Sequence, residues 1–169
     1  TVNATGTENI TADGSLNVTA TTLPTLLTSA GTQTITVGAG GLIVTGAGGS
    51  ASSKSAQITQ TGTAATQSIT VNGGGNIQLI GGAGSGNNNS VQISANGTAQ
   101  NITFNSGGNI AITGGTVGNN NFARIIAINP ATAAQTQTIT GATGITLTGG
   151  ASGGGLDINH NGIGNYAQI

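Results

Sequence analysis

Apolar residues in this chain come in short runs that alternate with Thr, Ser, Asn or Gln, and Gly- or Asn-rich stretches close each run. The clearest set spans Gln67 to Ala99, read QSITV–NGGG–NIQLIGG–AGSGNNN–SVQISANGTA. Gln100 opens the same order again as QNITF–NSGG–NIAITGG–TVGNNN–FARIIAINPA, Gln33 opens QTITV–GAGG–LIVTG, and Gln137 opens QTITG–ATG–ITLTGG. Openings at 33, 67, 100 and 137 set a period of about 34 residues, which belongs to repeat architectures. A weaker first unit opens at Glu8, with Leu16-Asn-Val-Thr19 as its second run and Leu23-Pro-Thr-Leu-Leu27 as a compressed third. Pro24 cannot donate to a ladder and is expected at an edge or turn.

Period-two alternation predicts β-strands with one apolar face. The inward pairs of the second run are Leu42/Val44, Ile77/Leu79, Ile110/Ile112 and Ile145/Leu147. Those of the third are Ala56/Ile58, Val91/Ile93, Ala123/Ile125 and Ala167/Ile169. Helices are excluded by the dominance of Gly and β-branched residues and the lack of heptads. An antiparallel sandwich would not repeat the same strand identities at a fixed period. The pattern predicts an all-β parallel β-helix, or β-solenoid, with three short strands per rung and about five rungs, roughly 24 Å long at 4.8 Å per rung. Gln33, Gln67, Gln100 and Gln137 share the parity of the inward Ile, with Glu8 in the same column, so a stacked amide ladder is expected. The pairs Gly81-Gly82, Gly114-Gly115 and Gly149-Gly150 are expected at corners that need positive φ.

Composition narrows the function. Of 169 residues 32 are Gly, charged residues are 3% and aromatics 2%, so the core must be thin and the surface weakly protected against self-association. Lys54 and Arg124 are the only basic side chains, and Phe104, Phe122 and Tyr166 the only aromatics, which excludes a nucleic-acid footprint. No apolar run reaches the length of a membrane-spanning helix. The chain is read as one segment, residues 1–169, of a longer secreted polypeptide or as a filament protomer.

The repeated QxIT, GxIxLTGG and GNNxAxI elements resemble the β-strand repeats of filamentous haemagglutinin-type adhesins secreted by Gram-negative bacteria. The resemblance covers Gln33 to Ile169 well and residues 1–32 loosely. It implies a right-handed β-helical shaft, export to the cell surface, and a part in adhesion or biofilm. Gly162-Ile-Gly-Asn-Tyr-Ala167 also resembles the GxGNxA core of curli-type subunits, whose repeats are much shorter.

Catalysis is not expected. The carboxylates are Glu8, Asp13 and Asp157, with His160 the single His. Asp13 and Asp157 stand four rungs apart, on the order of 19 Å, and Glu8 and Asp13 are roughly 16 Å apart along one strand. Neither distance suits a glycosidase pair. One ligand-like pattern remains: Asp157, Asn159 and Asn161, followed by Gly162, have the D-x-N-x-N-G spacing of a calcium loop, with Asn165 and Gln168 as further oxygens. Only one carboxylate stands in it, so an Asn-rich turn is the plainer reading, and no cofactor is expected. The leading expectation is an extracellular filament or adhesin shaft that assembles end to end, its partner being the next copy or adjacent repeats of the same chain. The competing one is a module that binds a host or matrix glycan, or ice, through regular Thr faces such as Thr34/Thr36 and Thr138/Thr140.

Overall fold

The computed structural model describes residues 1–129, 134–150 and 164–169. Among these, every regular element is a strand. β1 (Val2–Ala4) comes first, and a turn of β2 (Glu8–Ala12), β3 (Ser15–Thr19) and β4 (Thr25–Ser29) follows. The next turns are β5 (Gln33–Val37), β6 (Gly41–Thr45) and β7 (Ala56–Gln60), then β8 (Thr66–Val71), β9 (Ile77–Ile80) and β10 (Val91–Ala95). They continue as β11 (Ala99–Phe104), β12 (Asn109–Thr113) and β13 (Ala123–Ala127), then β14 (Thr136–Thr140), β15 (Gly144–Thr148) and β16 (Ala167–Gln168).

Each strand pairs in parallel with its equivalent one period away. The result is three sheets: β1-β4-β7-β10-β13-β16, β2-β5-β8-β11-β14 and β3-β6-β9-β12-β15, here sheets A, B and C. The fold is a β-solenoid with three strands per rung. Register follows the sequence alignment without slippage: Ile69 lies on Ile102, Leu79 on Ile112, and Ile93 on Ile125. All six side chains are buried, so the three apolar columns meet in one narrow core. A one-residue slip in any sheet would turn these columns outward, which is why the alternation specifies register so firmly.

Three expectations need correction. The third run of the first unit is β4, Thr25–Ser29, rather than Leu23–Leu27; Leu23 is exposed and only Leu27 enters the core from it. Pro24, lacking an N–H, sits in the turn just before the strand, and β4 is an inner strand between β1 and β7. A further strand precedes the first unit, since β1 pairs with β4 through Val2 and Leu27. The Gly-Gly pairs do not have positive φ. That conformation falls instead at the corner between sheets B and C, as at Gly73 (φ 63°) and Gly74 (φ 76°), and further along the C–A loops, as at Gly49 (φ 85°) and Gly118 (φ 75°).

The Gly-Gly pairs have a steric reason instead. A Cβ on Gly82 would stand 2.5 Å from the Cβ of Asn89, and one on Gly115 or Gly150 would collide in the same way with Asn121 or Asn165. These glycines let an Asn side chain and the backbone beneath it fill the corner between sheets C and A.

Candidate functional site

Two side-chain ladders run along the axis. In the first, Gln33 Nε2 donates to Glu8 Oε2 (2.6 Å), Gln67 Nε2 to Gln33 Oε1 (2.7 Å), Gln100 Nε2 to Gln67 Oε1 (2.7 Å) and Gln137 Nε2 to Gln100 Oε1 (2.6 Å). Gln33, Gln67 and Gln100 are fully buried, and Gln67 Nε2 also donates to the Ser94 carbonyl (3.1 Å). The ladder has a direction. A carboxylate only accepts, so Gln33 must turn its amide nitrogen toward Glu8, and its oxygen then faces Gln67. That choice repeats at every rung. Glu8 is itself buried, and its Oε1 has no partner. At the other end Gln137 is exposed and spends its amide nitrogen on Gln100, so that its oxygen is the end of the ladder among the described residues.

The second ladder is made of Asn. Asn89 Oδ1 accepts from the Lys54 N–H (2.9 Å), Asn121 Oδ1 from the Asn89 N–H (2.8 Å), and Asn165 Oδ1 from the Asn121 N–H (2.9 Å). The Asn121 amide nitrogen donates to the Gly86 carbonyl (2.8 Å), so one side chain closes the corner in two rungs. Each member of the NNN triplets has its own task. Asn87 Oδ1 accepts from the Asn119 N–H (2.8 Å), Asn88 and Asn120 take the left-handed conformation at φ 59° and 58°, and Asn89 and Asn121 are the buried braces. Asn tolerates that conformation better than other residues with a Cβ. Sequence reasoning missed this ladder, although the recurrence of NNN at 87–89 and 119–121 was its visible trace.

Asp157, Asn159 and Asn161, with His160, lie outside the described residues. Asn165, a further oxygen in the calcium reading, is committed to the corner: its Oδ1 holds Asn121 and its Nδ2 donates to Gly118 (2.9 Å). Among the described residues no group of three or more His, Cys, Asp or Glu side chains is gathered. The two described carboxylates do not converge on a cleft. Glu8 points into the ladder, and Asp13 stands exposed in the turn after β2.

Two outer surfaces have regular chemistry. On sheet B, Thr11, Thr36, Thr70, Thr103 and Thr140 form one unbroken column, beside a mixed column of Asn9, Thr34, Ser68, Asn101 and Thr138. On sheet A, Phe122 and Tyr166 stack with centroids 5.1 Å apart, and Arg124 lies 4.7 Å from the Phe122 centroid. Arg124 Nη2 also donates to Gln92 Oε1 (2.9 Å), so its fork is spent on this surface column.

The third feature is the C-terminal end of the stack. β14 and β15 are the last strands of sheets B and C, with one edge unpaired among the described residues. Ile145 and Leu147, the equivalents of buried Ile110 and Ile112, are 51% and 48% exposed there. No helix among the described residues is long and apolar enough to cross a membrane. No known family, no curated protein and no solved structure matches the chain.

Proposed function

We propose that the chain is a structural segment of an extracellular β-solenoid, a filament or adhesin shaft on a bacterial surface, lengthened by stacking further rungs on its ends. The observation that carries this reading is the open edge at β14 and β15. There, among the described residues, backbone groups able to form a ladder lie beside exposed Ile145 and Leu147 and beside Gln137, whose amide oxygen has no partner. Such an edge is a template for another strand. The partner it suits is one more rung of the same kind, from the next copy or from adjacent repeats of the same polypeptide. The resemblance to filamentous haemagglutinin-type repeats supports the cell-surface setting, and the scarcity of charge agrees with a protein that works in an assembly.

A second reading, a carbohydrate- or ice-binding module, is favoured by the unbroken Thr column on sheet B. The column beside it changes from Asn to Thr to Ser and back, which weakens a flat two-column lattice. Sedimentation at micromolar concentration separates the two. The shaft reading expects end-to-end association, and a stable compact 16.0 kDa monomer contradicts it. The module reading expects glycan-array binding or thermal hysteresis from that monomer.

A further inference from the structure

Resting on the shaft reading, we propose that Glu8 weakens the head-to-tail joint between two copies of this chain, by setting a carboxylate against the Gln137 amide oxygen of the copy it stacks on. The occupant of the open end is then a second copy, and position 8 governs how readily it docks.

The columns identify the fit. A copy that continues sheets B and C places β2 on β14 and β3 on β15. Ile10 then covers Ile139, Leu16 covers Ile145 and Val18 covers Leu147, each apolar on apolar in the register used throughout the stack. Ile10 and Leu16 are only partly buried at the N-terminal end, as surfaces awaiting a neighbour would be. Sheet A adds one condition. The incoming β1 falls on the place already taken by β16, so one of the two must leave. β1 has three residues with Val2 54% exposed, whereas β16 follows the Asn165 brace and the stacked Tyr166. β1 is the strand that gives way.

The ladder column is where the fit fails. Every rung above Glu8 donates an amide N–H toward the N-terminal end and offers its oxygen toward the C-terminal end. At the joint, Gln137 offers an oxygen and the incoming residue must donate. A Gln would do so, but the Glu8 carboxylate brings a second acceptor. Two acceptors facing each other in a buried column leave both unsatisfied, at a cost well above that of a missing surface contact. β1, β2 beyond Glu8 itself, β3, β4 and β5 have no other titratable side chain to relieve it, and Asp13 is the nearest charged side chain along the chain.

The test compares the 169-residue chain with Glu8→Gln at neutral pH, measuring by sedimentation and light scattering the concentration at which end-to-end association begins. Glu8→Gln is expected to lower that threshold at least tenfold, and adding Gln137→Leu to it should remove the gain. Gln137→Lys, at an exposed position, keeps a donor for Gln100 and offers another to an incoming Glu8, and should lower the threshold similarly in the otherwise unaltered chain. Unchanged thresholds in both single variants, with association intact, overturn the role of Glu8 and leave the shaft reading standing. Failure of the unaltered chain and of both single variants to associate overturns both.

Discussion

The fourth rung and the last one carry nearly the same residues and have different fates. Ile110 and Ile112 of β12 are sealed in the core, while Ile145 and Leu147 of β15, directly above them, are about half exposed. Gln100 is fully buried with hydrogen bonds on both sides, whereas Gln137 is exposed and bonded on one. Burial in a solenoid is therefore a property of position in the stack as much as of sequence. A rung contributes its full stabilisation only when both of its neighbours are present.

The largest expected difference between the two rungs lies in the core. Ile112→Ala should destabilise by roughly 2–5 kcal/mol, the range for a fully packed Ile. Leu147→Ala should cost about 1 kcal/mol or less, since half of its surface already faces solvent. Denaturant titrations of the two variants check this, and equal losses would mean that the last rung is covered as the fourth one is.

The ladder offers a smaller contrast. Gln67→Leu strands the Gln33 oxygen in a dry column and leaves the Gln100 nitrogen only the Ile126 carbonyl at 3.4 Å, so a loss of about 2–4 kcal/mol is expected. Gln137→Leu takes the donor from one buried atom only, Gln100 Oε1, beside solvent that can replace it, and should cost about 1 kcal/mol in the monomer. Smaller still is Thr103→Ala on the outer face of sheet B, expected within about 0.5 kcal/mol. A loss there matching that of Ile112→Ala would reverse the inward and outward faces. For the Asp157–Asn161 stretch, a chelator should leave the melting temperature unchanged. A fall of several degrees that Asp157→Ala abolishes would place calcium there.

Alternation and period made most of the fold legible, including the inward columns, the three faces and the glutamine ladder with Glu8 at its foot. What escaped depended on relations between rungs rather than within them. β1 is three residues, Val2–Ala4, too short for a period to register. Asn is so common in the chain that Asn89, Asn121 and Asn165 become a column only when the rungs are laid on one another. The Gly-Gly pairs were legible as special but not for the right reason. Gly82 and Gly115 are forced by the Asn side chains packed against them, a contact no local pattern records. The same Asn column holds Asn165, one of the further oxygens of the calcium spacing, in the corner.

The central claim, that the molecule lengthens along its own axis, is tested most directly by the power spectrum of electron micrographs of the associated protein. Axial stacking predicts rods with a meridional reflection near 4.8 Å, the strand spacing along the solenoid axis. Particles joined side by side through the faces of sheets A or B, with no meridional reflection at that spacing along their length, would contradict the account.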